Sequence, residues 1–173
     1  MAPDQPAAGF DAHALRHALG RFATGVTIVT TLAPDGSPVG LTVNSFNALS
    51  LEPPLVLWSL RLASASLAVF RAAPCFAVNV LAEPHLELSR AFASRHGHRF
   101  TEGLWLRDED GLPLLAGAAA RFACAKVAQH AAGDHELFIG RVLRLAASHE
   151  PPLLFQGGRY RRLGPLLQAD QVA

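Results

Sequence analysis

The 173-residue sequence is short of lysine, cysteine and unbroken apolar runs. Lys126 is the only lysine, and Lys+Arg 15 against Asp+Glu 14 leave a formal charge of +1. So balanced a chain offers no basic field for nucleic acid or for an anionic membrane surface. The two cysteines, Cys75 and Cys124, sit in apolar segments without C-x-x-C spacing, and no secretory leader opens the chain. Reduced, buried thiols in a cytoplasmic protein are therefore expected. No apolar stretch reaches membrane-spanning length without a charge, proline or glycine, so no membrane span is expected. The sequence also lacks G-x-x-x-x-G-K-[ST] and a G-x-G-x-x-G opening a βαβ unit, which excludes a P-loop and a Rossmann nicotinamide domain. No Ser-His-Asp or Cys-His signature is present.

What remains is apolar. Hydrophobic residues make up 50% of the chain, charged residues 17%, and the mean hydropathy is +0.23. That composition excludes intrinsic disorder. A single domain of this length buries roughly 70% of the surface its unfolded chain exposes, enough for a core without disulfides or metal. Residues 1–9 read as a Pro- and Ala-rich tail, 10–164 as one domain, and 165–173 as a second tail.

Phe10, Ala14, Leu15, Ala18, Leu19 and Phe22 recur at helical spacing behind Asp11, a fitting N-cap, and Gly25 is expected to end that helix. Val26–Leu32 and Val39–Leu49 read as a hairpin across Ala33-Pro-Asp-Gly-Ser-Pro38. Leu55–Leu60 and Cys75–Leu81 read as strands. Between them Ser64 can cap a short helix that reaches Ala72 and is stopped by Pro74. A helix is expected over Pro84–Ala93 and a structured loop over Ser94–Gly117. Long strands follow at 119–129 and 135–146 around a Gly133-Asp134 turn, with short strands at Leu153–Gln156 and Tyr160–Leu163. Strands dominate, and hairpin turns join them. The fold class is mainly β, an antiparallel barrel or sandwich with a few short helices.

Four constellations could carry chemistry. Thr42, Asn44, Ser45 and Ser50 bring polar groups to a strand end, either for a ligand or for local turn bonds. Ser59, Arg61, Ser64 and Ser66 precede a helix, where hydroxyls, free N–H groups and an arginine suit a phosphate; the plain alternative is an N-cap. Gly133-Asp134-His135 places a histidine on a hairpin turn, usable as a hydrogen-bond donor or simply surface. Gly158-Arg-Tyr-Arg-Arg162 sets three arginines around the only tyrosine, fit to bind an anion or to remain solvated. His13 with His17, and His96 with His98, have spacings that suggest zinc, but no cysteine or acidic cluster accompanies them and no metal is expected.

In order along the chain, FATGVTIVTT (Phe22–Thr31), GLTVNSFNALSLEPPLVL (Gly40–Leu57), FAVNVLA (Phe76–Ala82), AGDHELFIGRV (Ala132–Val142) and PLLFQGGRYRRL (Pro152–Leu163) resemble the short-chain flavin reductase family. Its members are reductase components of two-component flavin-dependent monooxygenases. The resemblance implies an FMN-binding split β-barrel with Greek-key topology, acting as a homodimer with flavin near the subunit interface. By the same resemblance Thr42, Val43, Asn44 and Ser45 face the flavin, with Ser50 and Ser59 beside them. Ser64 and Ser66, helped by Arg61, look like the phosphate site. His135 is similar to the histidine offered to the nicotinamide, and Tyr160 and Arg161 to the segment that closes the pocket. Ala48 stands where the family usually carries serine, and Arg61–Ser64 is less polar than usual, which leaves FMN or FAD open.

The function so implied is hydride transfer from NADH or NADPH to FMN or FAD, with reduced flavin passing to a separate oxygenase component. Two other readings share the barrel. A non-catalytic flavin-binding protein would have no need of the Gly133-Asp134-His135 turn. A barrel oxidising pyridoxamine phosphate would want a denser basic set.

Overall fold

The computed structural model describes residues 9–94 and 100–165; most of both tails and the His96/His98 pair lie outside them. In chain order the elements are α1 (Ala12–Leu19), β1 (Thr24–Gly25), β2 (Thr27–Leu32), β3 (Pro38–Val43), β4 (Asn47–Leu51), β5 (Pro54–Arg61), α2 (Leu67–Ala72) and β6 (Cys75–Val80). A 3-10 turn at Glu83–His85 leads into α3 (Leu86–Ala93). Then come β7 (Trp105–Arg107), β8 (Pro113–Leu115), β9 (Ala120–Ala132), β10 (His135–Ala147), β11 (Leu154–Gln156) and β12 (Arg159–Arg161).

Seven strands form one antiparallel sheet in the order β3-β2-β6-β9-β10-β5-β4. Its two edges, β3 and β4, are consecutive in sequence and joined only by Asn44, Ser45 and Phe46. So short a link forces the sheet to curl until its edges approach, which is the split barrel. The link also breaks the single strand expected over Val39–Leu49 into two.

The barrel interior is aromatic. Trp58 stacks on Phe138 with ring centroids 4.7 Å apart, and Phe70 and Phe76 meet it edge-on at 4.9 and 5.8 Å. Such pairs contribute about 0.5–1.5 kcal/mol each beyond their buried area. β2 is buried on both faces. Val29 points into the barrel, while Ile28 packs outward on Leu81, Phe92 and Leu115 in a second layer. Its threonines are satisfied there: Thr30 Oγ1 donates to the Pro113 carbonyl at 2.6 Å and Thr31 Oγ1 to that of Cys75 at 2.7 Å. Buried Asn79 ties the layers together, donating to the Ile28 carbonyl at 3.0 Å and accepting from the Leu115 N–H at 2.8 Å. α2 is pinned to the barrel by Arg71, whose Nε donates to the buried Glu136 carboxylate at 2.7 Å. The lone Lys126 donates from Nζ to the Phe70 carbonyl at 3.0 Å, a cation at the end of a helix.

Some expectations shift. The first helix is capped by Asp11, whose carboxylate accepts from the Ala14 N–H at 2.7 Å, but it ends at Gly20 rather than Gly25. The residues after it turn back to add β1 to the β11–β12 hairpin. The following short helix starts at Leu67 with Ser66 at its N-cap position. Ser64 acts before it, its hydroxyl accepting from the Ser66 N–H at 3.3 Å. Ser94–Gly117, read as a loop, contains the β7–β8 hairpin. Both cysteines are free thiols, and burial pushes the Cys124 thiol up to about 12. Among the described residues no helix is long and apolar enough to cross a membrane.

Gly140 is where β10 admits the core aromatics: a Cβ there would lie 2.9 Å from Cys124 Cβ and collide with the Phe76 ring. Gly140→Val is expected to lower stability by about 1–3 kcal/mol or more through overpacking. Thermal melting measures it, and an unchanged melting temperature would show that the core yields at that point.

Candidate active site

The groove of interest opens along the barrel's seam. One part, of about 500 Å³, is lined by Thr42, Val43, Asn44 and Ser45 on one wall, Ser59, Arg61 and Ser64 on the other, and His135 at its mouth. Two adjoining cavities share those walls. One extends past Ser64 and Ser66 to Phe92 and Ala93, the other past Val43 and Asn44 to Phe155 and Tyr160. The whole is a continuous trough of the size of a cofactor site.

Each wall follows from the local fold. β3 ends at Val43 because the chain must cross the seam, so the residues just beyond it do not continue the ladder. Ser45 crosses instead to β5. Its hydroxyl accepts from the Ser59 N–H and donates to the Ser59 carbonyl, both at 3.0 Å. Thr42 turns its hydroxyl to the Ser89 carbonyl of α3 at 2.7 Å. Ser89, itself buried, hydrogen-bonds the Tyr160 hydroxyl at 3.0 Å, and the Arg90 guanidinium lies 5.8 Å from that ring's centroid. The Thr42 and Ser45 hydroxyls therefore shape the trough. Exposed Asn44 and Arg61 are the polar groups that remain for a ligand, together with the Ser64 hydroxyl.

Turn chemistry sets the mouth. Gly133 takes a positive φ of 58° that lets β9 and β10 reverse within two residues. Asp134 and His135 follow, and His135 pairs across the ladder with Arg61. His135 Nδ1 lies 2.7 Å from Asp134 Oδ1, and Arg61 Nη2 lies 3.9 Å from Asp134 Oδ2. The hydrogen bond from His135, then the charges of His135 and Arg61, hold the Asp134 carboxyl below its ordinary value. A carboxyl with a lowered pKa loses its partner only as pH falls through that lowered value, so the contact persists across neutral pH. Asp134 thus fixes the imidazole by Nδ1 and leaves Nε2 to the trough.

Residues 19–164 match the family described as flavin reductase like domain. The chain belongs to that family. FMN reductase (NADH) SmoA of Agrobacterium fabrum is 44% identical over 154 residues, 89% of this chain and 87% of that protein. The reductase subunit HsaB of a flavin-dependent monooxygenase from Rhodococcus jostii is 42% identical over 160 residues, 92% of this chain and 82% of its own. The solved structure of Streptomyces globisporus NADH:FAD oxidoreductase SgcE6, in complex with NAD and FAD fragments, superposes with a TM-score of 0.85 at 38% identity. It covers 91% of this chain and 96% of that one.

A flavin fits the trough of this family member. Leu41, Val43, Leu60, Ala63 and Ala93 give apolar wall for a ring, while Arg61 and Ser64 give one end a cation and a hydroxyl for a phosphate. Of the residues singled out from the sequence, Ser50 and Arg161 are not brought to it. Ser50 lies past a register shift in β4 and pairs with Leu55. Arg161 lines a different cavity, on the other face of the hairpin that carries Tyr160. Ser89 and Ala93 were missed. They come from α3, whose sequence LELSRAFA marks neither residue as lining a site. Among the described residues no three metal-ligating side chains come together.

Ser45→Ala is expected to cost about 1 kcal/mol in stability and to speed hydrogen exchange at the Ser59 amide. Exchange at wild-type rate would show that the seam closes without this serine.

Proposed function

We propose that the protein reduces FMN or FAD with NADH or NADPH in the groove at the barrel's seam and passes the reduced flavin to a separate oxygenase component. The single observation that carries the reading is the pairing, in one trough, of an apolar wall with a phosphate-suited end and a fixed histidine at its mouth. Relatives named NADH-dependent FMN reductase and monooxygenase reductase subunit support it. Bound flavin supplies the acceptor for the nicotinamide hydride. The chain supplies position. The ends of β3 and β5 would hold the flavin ring, Arg61 and Ser64 would hold its phosphate, and His135 would orient the nicotinamide beside it. Ser66 and Ser59 line the walls beside these groups, and Tyr160 closes the end nearest α3.

The same reading takes the molecule as a homodimer in the cytoplasm. Leu55 and Leu57 of β5 and Leu137 and Ile139 of β10 lie together on the outer face of the sheet, where Ile139 pairs with Leu57. Leu51 on the neighbouring edge strand is 92% exposed. A second copy is the occupant that suits this face, because Ser59 and His135 border it and the partner would complete the trough's outer rim.

Anaerobic mixing with NADH or NADPH and excess FMN or FAD should bleach many equivalents of free flavin per protein. No bleaching in any of the four combinations would leave only a flavin-binding barrel. His135→Ala should lower kcat by about 10²-fold with flavin affinity little changed; full turnover with lost affinity would remove His135 from the hydride step. Light scattering should give twice the chain mass, and Leu57→Arg should give monomers with weakened flavin binding.

A further inference from the structure

The groove leaves one basic constellation unused. His13, Arg16 and His17 on α1, Arg21 just after it, and Arg161 on β12 surround a second cavity of about 390 Å³ between the helix and the β11–β12 hairpin. The helix sits there the reverse of the usual way. Phe10, Leu15, Leu19 and Phe22, its own apolar stripe and flanks, are exposed, no residue of α1 is buried, and its basic side faces the hairpin. The hairpin register explains Arg161. Phe155 pairs with Tyr160 and Leu154 with Arg161, so neighbours Tyr160 and Arg161 point to opposite faces. Tyr160 faces the seam groove, and Arg161 faces this cavity.

The walls are fixed to each other. Gly157 N–H donates to the Gly20 carbonyl at 2.9 Å, and Gln156 Nε2 donates to that of Arg21 at 3.4 Å. The two segments come close at Gly20, where a Cβ would lie 3.4 Å from Gly157 Cα. Among the described residues no carboxylate lines the cavity. Among them Arg16, Arg21 and Arg161 form no ion pair, as is also true of Arg107, Arg121, Arg141 and Arg159, whereas Arg61, Arg71, Arg90, Arg144 and Arg162 each do; the three are set apart by lining one cavity. The negative end of α1 accounts for a cation in its last turn, an interaction of about 0.3–1 kcal/mol. It does not account for Arg21 beyond the helix or for Arg161 from another element. Guanidinium groups lining one space repel one another less when an anion lies between them, and their planar forks match phosphate oxygens.

We propose that this cavity binds a diphosphate group between Arg16, Arg21 and Arg161. Three guanidinium charges lining the cavity match the charge of a diphosphate, and the volume leaves room for more than one phosphate. The group belongs either to inorganic pyrophosphate or to a nucleoside diphosphate, and the proposal stands apart from the flavin reading of the seam groove.

Calorimetric titration of the full-length protein with sodium pyrophosphate, and separately with ADP, tests it. Saturable binding with one site per chain is expected, weakened about tenfold or more in Arg16→Gln/Arg21→Gln and at raised salt. Flavin binding to that double variant, read by fluorescence quenching, should stay at the wild-type level and so report an intact fold. Arg107→Gln, a control far from the cavity, should bind pyrophosphate as wild type does. ADP binding tenfold tighter than pyrophosphate identifies a nucleotide subsite; equal affinities identify an inorganic diphosphate site. No saturable heat with either probe, unchanged affinity in the double variant, or equal loss in Arg107→Gln would overturn the proposal.

Discussion

One serine hydroxyl, used twice, holds the seam on which the site depends. The seven-stranded sheet has edges β3 and β4, and the three residues between them carry the chain across. No backbone ladder joins β3 to β5 there. Ser45 substitutes for it, accepting from and donating to the same residue, Ser59. A strand edge left open presents unpaired N–H and C=O groups. Bridged at one point only, it is a trough with polar margins and apolar walls. The opening between β3 and β5 sets a trough beside a barrel whose interior is filled.

From that constraint the other features follow. The closed, aromatic interior around Trp58 keeps the two walls rigid, as a site built on strands requires. α3 closes the trough's far side through Phe92 and Ala93 and is tied by Ser89 to Thr42 and Tyr160, while α2 is pinned to the barrel by Arg71 to Glu136. The β9–β10 turn brings Asp134 and His135 to the mouth, with Arg61 opposite. Arg61 and Ser64, the apolar wall and His135 thus come from different segments, and only curling of the sheet brings them together.

Much of this was legible in the sequence. Alternation and turn residues located the main strands, and the five family segments carried the split barrel and the polar strand end. What failed were features set by side-chain parity and long-range packing. Ser50 reads as part of the same polar stretch as Ser45, but the register shift after Ala48 changes its placement. Tyr160 and Arg161 are neighbours in sequence and opposite in space because a strand alternates its faces. The periodicity of α1 gave a helix but not which side meets the protein, since its basic side packs towards the hairpin. Ser89 was invisible because its role is a contact between α3, β3 and β12, made only once the chain is folded.

The central claim is that flavin lies in the seam groove, and a crystal structure of the flavin complex tests it most directly. The account predicts the ring against Thr42–Ser45, the phosphate beside Arg61 and Ser64, and His135 at the exposed ring face. Flavin found instead between α1 and the β11–β12 hairpin, or on the outer sheet away from His135, would contradict it.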